Sequence, residues 1–394
     1  MINRFIRTVL IVISFFLVTE AHAVPSFARQ TGMNCVACHT SFPELTPFGR
    51  EFKLRGYTLG ERQLLPFAAM AQVSMTNISK SKQSDGSQVM PKEGTLQFDT
   101  LGIFAAGKIN DHMGAFVQWT YNNNGQGLRD DGSLIHHSSL DNTDIRFMVE
   151  HAVFDKNLVI GATLHNNPTV QDVWNSSPAW GFPFTGPNLA GAPGPSYATM
   201  IDGGLSQQVA GLGGYFWWDR HLYGELTFYG TADKIFKPLS AGTTLDPTLK
   251  LQGRNNPYWR FAWNEEWGAN SLMLGTYGMQ VDITPDDSGL KDRYTDNALD
   301  MQYQYISDPS IFTLQSSYIH ERRNLAASFA NQDTTLDNQK LSLNTFRAKA
   351  SYLYNRTYGA TVGYFDINGT SDTYYSPDSS SSVKPNSRGY IVEA

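Results

Sequence analysis

The stretch YWRFAWNEEW, residues 258–267, alternates between two kinds of side chain. In an extended chain these separate onto opposite faces, with Trp259, Phe261, Trp263 and Trp267 on one and Arg260, Asn264 and Glu266 on the other. The same period of two recurs in AFVQWTY (115–121) and TFRAKASYLY (345–354). Alternation of this kind predicts β-strands with one apolar and one polar face.

The connections between these strands alternate in length. Tight turns are predicted at Asn110-Asp111, Asp155-Lys156, Asp219-Arg220, Gly268-Ala269, Asp308-Pro309 and Arg356-Thr357. Long polar loops are predicted at roughly 79–94, 122–142, 166–205, 231–256, 284–297, 324–339 and 369–386. This order is typical of outer-membrane barrels, which have short periplasmic turns and long outer loops. We therefore predict an all-β, transmembrane antiparallel barrel of fourteen strands, with a soluble β fold as the alternative.

The last predicted strand lies in SRGYIVEA, residues 387–394, and has barely begun where the sequence ends. Barrels of this class have an even number of strands and usually end on a complete one. We expect that a final hairpin is missing and that the full barrel has sixteen strands. A fourteen-stranded barrel is the alternative.

Residues 1–23 have the features of a secretory signal peptide. Arg4 and Arg7 precede an apolar run from Val9 to Val18, and Ala21-His22-Ala23 resembles a cleavage site. Ten apolar residues are too few to span a bilayer. Export is therefore predicted, and the formal charge of −6 argues against a nucleic-acid partner.

Both cysteines lie in CVACH, residues 35–39. This fits the C-x-x-C-H pattern of c-type haem attachment. Two thiols on one turn reach the two vinyl groups of a haem, and the next histidine presents its imidazole to the iron. We predict one covalent haem c on Cys35 and Cys38, with His39 as proximal iron ligand. A redox pair does not require His39, and half of a zinc site needs further ligands.

A short helix is predicted after the motif. Thr46-Pro47 is typical of a helix start and Gly56 of a helix end. Phe48 and Phe52 share one face, which either covers the porphyrin or packs on the neighbouring domain. We assign residues 24–62 to a haem-binding segment and 63–394 to the barrel. If the loop after the first strand lies outside, the haem lies at the periplasmic mouth or in the lumen.

The sixth iron ligand is not given by the sequence. Met70 and Met75 on the first strand, and His165 by its strand parity, are candidates, and an open sixth site is a further possibility. The aromatic loop 168–187 either folds inward over the haem or packs on its own side chains. Asp292 and Asp296, expected in an outer loop, either attract cations or serve solubility.

Three stretches resemble the monohaem porin–cytochrome fusions of the bacterial outer membrane, among them the outer-membrane cytochromes of iron-oxidising bacteria: VPSFARQTGMNCVACHTSFPELTPFGREFKLRGY (24–57), LDNTDIRF (140–147) and NNPTVQDVWNSSPAWGFPF (166–184). The resemblance implies an N-terminal haem leading into a barrel of about sixteen strands. It also implies electron transfer across the outer membrane, possibly from extracellular ferrous iron to a periplasmic carrier such as a soluble cytochrome.

Two other functions compete with this one. The first is a small-solute porin in which haem is a plug or sensor, and the second is a soluble periplasmic oxidoreductase. No acid–base or nucleophilic constellation is visible in the sequence, so no catalytic residues are predicted. We expect an electron-transfer protein, with ferrous-iron oxidation possible, rather than a conventional enzyme.

Overall fold

The computed structural model describes residues 25–41, 43–77, 94–122, 138–168, 170–177, 197–240, 249–285, 289–331, 336–376 and 381–394. The predicted signal peptide lies outside the described residues. The same holds for the second half of the aromatic loop, including Trp180 and Phe184.

Within the described residues the fold is all-β, with one antiparallel sheet of fourteen strands. Every strand pairs with its neighbours in sequence, so the order is a simple up-and-down meander. The strands are β1 (Phe67–Met75), β2 (Leu96–Asn110), β3 (Met113–Asn122), β4 (Ser138–Val153), β5 (Lys156–His165), β6 (Val209–Trp218), β7 (Leu222–Thr231), β8 (Asn256–Trp267), β9 (Asn270–Ile283), β10 (Asp292–Ser307), β11 (Ser310–Leu325), β12 (Lys340–Tyr354), β13 (Tyr358–Gly369) and β14 (Ser387–Glu393). The predicted all-β antiparallel class and the fourteen strands are confirmed.

The connections alternate as predicted. Six tight turns join β2–β3, β4–β5, β6–β7, β8–β9, β10–β11 and β12–β13, and the other connections are long. Asp155 and Asp219 sit in two of these turns at φ 58° and 51°, in the left-handed region that aspartate tolerates better than most residues. All tight turns therefore lie at one end of the sheet, called here the turn end.

Two loop boundaries were wrong. The loop predicted to reach residue 142 ends before β4, which begins at Ser138. The loop predicted to reach residue 297 ends before β10, which begins at Asp292. Asp292 and Asp296 are therefore strand residues with buried side chains, and not parts of a solvated outer loop. Their carboxylates accept backbone N–H groups of other segments, Ala327 for Asp292 and Ile201 for Asp296. Because the carboxylates of Asp292 and Asp296 face inward, the start of β10 is as polar in sequence as a loop.

Burial in the sheet is the reverse of that in a soluble protein. On β8 the side chains of Arg260 and Asn264 are fully buried, whereas Phe261 is 54% exposed and Trp263 40% exposed. Charged groups are rarely buried and large apolar ones rarely exposed in contiguous patches when a fold faces water. A polar inner face and an apolar outer face are the pattern of a barrel in lipid. The outer face of neighbouring strands is apolar too, with Ile160, Leu212, Phe216, Leu226, Phe228, Leu274 and Leu299 exposed.

The helices are short and lie mainly before the sheet. They are α1 (Pro25–Thr31), α2 (Pro47–Leu54) and α3 (Ala326–Ala330), with 3₁₀ turns at Cys35–Ala37, Lys234–Leu239 and Thr373–Tyr375 and an irregular helical turn at Met200–Gly204. No helix in the described ranges is long and apolar enough to cross a bilayer.

The sheet curves around the N-terminal segment, residues 25–62. Side chains bond this segment to strands spread across the whole sheet: Arg29 to Phe67 of β1 at 2.6 Å, Tyr57 to Asp144 of β4 at 2.7 Å, Arg50 to Gln304 of β10 at 2.8 Å and Glu44 to Lys349 of β12 at 2.5 Å. One short segment reaches all of these strands only if they surround it. The sheet is therefore a barrel wall, and the N-terminal segment lies in its lumen.

A second element lies inside the wall. We call it the inner loop: the described residues 166–168, 170–177 and 197–208 between β5 and β6. Residues 170–177 are buried throughout, and Trp174 has no exposed surface. Asp202 pairs with Arg347 of β12 at 2.5 Å, and Asp141 of β4 accepts from Gln207 at 2.6 Å. Of the two alternatives for the aromatic loop, the burial of residues 170–177 favours inward folding.

The inner loop leads into an apolar core within the lumen. Ile201, Leu205 and the first residue of β6, Val209, are buried in one cluster with inward side chains of β7 to β11. Those wall residues are Tyr229, Tyr258, Tyr277, Met279, Val281, Ala298 and Ile319. Apolar packing inside the lumen excludes water from this part of the barrel.

Candidate functional site

Thr46 connects the CVACH motif to α2. Its hydroxyl accepts the N–H of Gly49 at 3.1 Å, as an N-cap does, and donates to the carbonyl of Ala37 at 2.6 Å. Pro47 is the first helical residue, and Gly56 follows the helix at φ 64°. The predicted start and stop of this helix are confirmed. The cap also fixes the distance between the helix and both cysteines.

Gly49 allows α2 to lie directly on the motif. A Cβ at this position would be 2.2 Å from the carbonyl oxygen of Cys38, which is a backbone atom and cannot move aside easily. The helix and the cysteine turn are therefore in backbone contact. Sequence reasoning missed this role, because a glycine inside a helix signals only lower helix propensity.

Cys35, Cys38 and His39 line the same cavity. It is partly open to solvent and has a volume of about 120 Å³. Its wall is largely apolar and aromatic, with contributions from Phe27, Leu45, Phe52, Tyr57 and Phe116. Phe52, one of the two predicted face residues of α2, thus faces the cavity, whereas Phe48 is not among its lining residues.

The aromatic wall is itself packed. The ring of Phe27 stacks on Tyr57 at a centroid distance of 5.2 Å and meets Phe52 edge-on at 5.0 Å. Phe116 of β3 stacks on Phe27 from the barrel side at 6.4 Å. Such pairs add to the free energy of burial and hold the rings in place. The cavity is therefore preformed by α1, α2 and the wall.

Burial disfavours ionisation of the Cys38 thiol. No disulfide joins Cys35 and Cys38. Burial, and next the proximity of Cys35, raises the pKa of the Cys38 thiol to about 11. A thiol of this kind is a poor nucleophile at neutral pH. This environment does not fit a reactive redox pair, which needs a lowered thiol pKa.

His39 is held as a neutral imidazole. Burial lowers its pKa, and the backbone of Pro43 and Glu44 only partly offsets this effect. A neutral imidazole has the lone pair that a haem iron needs. No group of three or more His, Cys, Asp or Glu side chains suited to a metal ion occurs within the described ranges. Two thiols outside any disulfide, a neutral imidazole and an aromatic cavity together fit a covalently attached haem.

The inner loop supplies another part of the cavity wall through Val170 and Asn175. The amide oxygen of Asn175 accepts the N–H of Leu45 at 3.1 Å. The Nζ of Lys53, which also lines the cavity, donates to the carbonyl of Val170. Burial is the main effect that lowers the pKa of Lys53 to about 8. These contacts join the N-terminal segment to a loop from the opposite end of the barrel, and only the loop's approach was expected from the sequence.

The candidates for a sixth ligand lie away from this cavity. Met70 and Met75 are on β1, and neither lines the cavity. His165 is buried on β5, where its Nε2 is 2.7 Å from the hydroxyl of Tyr229, and it does not line the cavity either. Met33 lines the cavity and is 44% exposed.

The cavity lies at the turn end of the barrel. The carbonyl of Val36, inside the motif, accepts from Arg356 in the β12–β13 turn at 3.2 Å. Glu51 of α2 pairs with Arg220 in the β6–β7 turn at 3.1 Å. Val36 of the motif and Glu51 of α2 therefore contact two tight turns that lie far apart along the sheet.

Comparisons with known proteins give little support for a function. No family model and no curated protein matches the chain. Among solved structures, one match is OmpT (in-vitro folded), an outer membrane protein of Vibrio cholerae. It is 10% identical over 83% of this chain and 92% of that chain, with a TM-score of 0.31. Function is therefore inferred from the residues of the cavity.

Proposed function

We propose that this protein is a monohaem c-type cytochrome fused to an outer-membrane barrel, and that it transfers electrons across the outer membrane. The observation that carries the proposal is the convergence of Cys35, Cys38 and His39 on one aromatic cavity inside the barrel. Nothing in the requirements of a β-barrel demands that the chain's two cysteines and the adjacent histidine line a common cavity.

The residues of the chain have distinct roles in this proposal. Cys35 and Cys38 hold the haem by thioether bonds, and His39 holds the iron on one side. The haem supplies one-electron chemistry. The rings of Phe27, Phe52 and Phe116 exclude water and lower the local dielectric constant, which is one of the means by which a protein sets a redox potential.

The outer membrane is the proposed location because the wall has an apolar outer face. Tight turns lie on the periplasmic side in barrels of this class. The cavity at the turn end then faces the periplasm, where a soluble carrier such as another cytochrome exchanges electrons. The extracellular donor is proposed to be ferrous iron, on the resemblance of residues 24–57 and 166–184 alone.

A solute porin is the second candidate, and the inner loop disfavours it. Porins keep a polar, water-filled lumen. Here the N-terminal segment and the inner loop occupy the lumen, and an apolar cluster around Ile201 and Val209 lies within it. If the haem served only to close the lumen, the inner loop would not be needed to close it as well.

The test combines haem detection with membrane fractionation. Expressed in a host that matures c-type cytochromes, the protein should be in the outer-membrane fraction and keep haem stain after denaturing electrophoresis. A Cys35→Ser/Cys38→Ser variant should lose the stain and remain in that fraction. Reduction of the haem band by external ferrous iron in intact cells supports the donor. A colourless protein, or one soluble without detergent, would refute the proposal.

A further inference from the structure

We propose that Asn175 is a positioning residue for the haem, an inference that rests on the proposed function. Its amide N–H groups face the cavity and raise the reduction potential of the haem. Asn175 is 6% exposed and lines the cavity together with Cys35, Cys38 and His39. Asn175 belongs to the inner loop, and its hydrogen-bond partner Leu45 is 130 residues away in sequence. A distant segment therefore completes the surroundings of the haem.

The orientation of the amide follows from one hydrogen bond. The backbone N–H of Leu45 needs an acceptor, so the atom 3.1 Å from it is the amide oxygen of Asn175. The NH₂ group then lies at the opposite edge of the planar amide group. In the part of the chain that the structure describes, no acceptor bonds to this NH₂ group. Two donors are therefore left for a group within the cavity.

Outside the CVACH motif, the other polar side chains that line the cavity donate to protein groups or are exposed. Lys53 donates to the carbonyl of Val170, and the Tyr57 hydroxyl donates to Asp144 at 2.7 Å. Thr31 donates to the carbonyl of Phe27 at 2.9 Å, and Asn34 is exposed. Among the described residues, Asn175 is thus a buried, neutral lining side chain with donors available. Lys53 also keeps N–H donors, because its ammonium group has three.

The backbone at Asn175 is held in a conformation that few residues adopt. Its φ of 55° lies in the left-handed region, which only glycine, asparagine and aspartate enter readily. Gln315 of β11 donates to the carbonyls of Trp174 and Asn175 at 2.8 and 3.2 Å, and Gln302 of β10 donates to that of Trp174 at 2.6 Å. Left-handed residues fixed in this way concentrate at functional sites.

The direction of the effect on potential follows from electrostatics. The positive end of the amide dipole faces the cavity, and the reduced haem carries one electron more than the oxidised haem. The dipole therefore stabilises the reduced form, and burial strengthens this interaction. Removing the amide should lower the potential, and replacing it by a carboxylate should lower the potential further.

The test uses Asn175→Gly and Asn175→Asp in the full-length haem protein. Both replacements tolerate the left-handed backbone. The control pair is Asn355→Gly and Asn355→Asp, in an exposed turn at φ 50° outside the cavity. The readouts are the midpoint potential from a spectroelectrochemical titration and the haem absorption band.

We expect Asn175→Gly to lower the ratio of reduced to oxidised haem about tenfold at a fixed potential. For a one-electron couple this corresponds to a midpoint potential lower by about 59 mV. Asn175→Asp should lower the midpoint potential more than Asn175→Gly does. The two Asn355 control variants should leave the midpoint potential unchanged. An unchanged or higher midpoint in Asn175→Gly overturns the inference, even if Asn175→Asp does not assemble. Absence of covalent haem from the parent protein would overturn the proposed function instead.

Discussion

The guanidinium group of Arg50 donates to the amide oxygen of Gln304 at 2.8 Å, across 254 residues of sequence. The same side chain donates to Gln302 at 2.9 Å and to the hydroxyl of Ser271 at 2.7 Å. Arg50 is 1% exposed. One arginine of α2 therefore satisfies three polar groups on β9 and β10, and it fixes the haem-binding segment to the inner face of the barrel.

Arg50→Ala should loosen the N-terminal segment. The change leaves Ser271, Gln302 and Gln304 without their donor in a buried site, and we expect a loss of about 2–4 kcal/mol in stability. Thermal unfolding of the detergent-solubilised protein, followed by the change in electrophoretic mobility, measures it. Limited proteolysis should also cut residues 32–36 faster in the variant.

The matched control is Arg388→Ala. Arg388 pairs with Asp366 at 3.1 Å, but its side chain is 74% exposed. Exposed pairs contribute about 0–1 kcal/mol. If Arg388→Ala destabilises the protein as much as Arg50→Ala does, burial of the arginine is not the reason for its importance.

Gly49→Ala tests the contact between α2 and the cysteine turn. The new methyl group meets the Cys38 carbonyl, so the helix and the motif must separate. We expect a loss of about 1–3 kcal/mol, as for overpacked cores, with a shifted haem absorption band. Gly214→Ala is the control, because its Cβ would meet only the Gly161 carbonyl, at 3.6 Å. Equal effects in the two variants would contradict the close approach at Gly49.

The alkylation rate of Cys38 should report its buried environment. In haem-free protein carrying Cys35→Ala, the pKa still rises through burial, the larger of the two causes that bring it to about 11 in the parent chain. Because the thiolate reacts, the iodoacetamide rate at pH 8 should lie about tenfold or more below that of an exposed cysteine. The rate should rise as the pH approaches the pKa. A rate at pH 8 equal to that of an unfolded control would show that Cys38 is not buried.

The fold was predictable because two features of a lipid-embedded barrel leave direct marks in a sequence. Alternation in stretches such as 258–267 gives the strands, and the alternation of short and long connections gives the shared turn end. The boundary at β10 failed because Asp292 and Asp296 point into a polar lumen. A strand with a polar inner face and a loop have similar composition, and the partners that bury these carboxylates are distant in sequence.

The candidate site was predictable only where its residues are neighbours. CVACH and the cap at Thr46 are local patterns, and the structure brings Cys35, Cys38 and His39 to one cavity as those patterns require. Gly49, Lys53 and Asn175 gain their roles from tertiary contacts. Lys53 meets Val170, and Asn175 meets Leu45, across more than a hundred residues. No pattern within a single sequence encodes such pairs.

The inner loop predicts low conductance, because it brings apolar side chains into the lumen. The parent protein in a planar bilayer should pass little current. Replacing residues 168–207 by a short glycine-serine turn removes Ile201 and Leu205 from the apolar cluster, and should open a polar lumen whose current rises several-fold or more. A Cys35→Ser/Cys38→Ser variant should stay closed, because the inner loop does not depend on those thiols. If the parent protein passes as much ionic current as the loop-deleted variant, the porin function is favoured. The proposal that this barrel transfers electrons and does not pass solutes would then be contradicted.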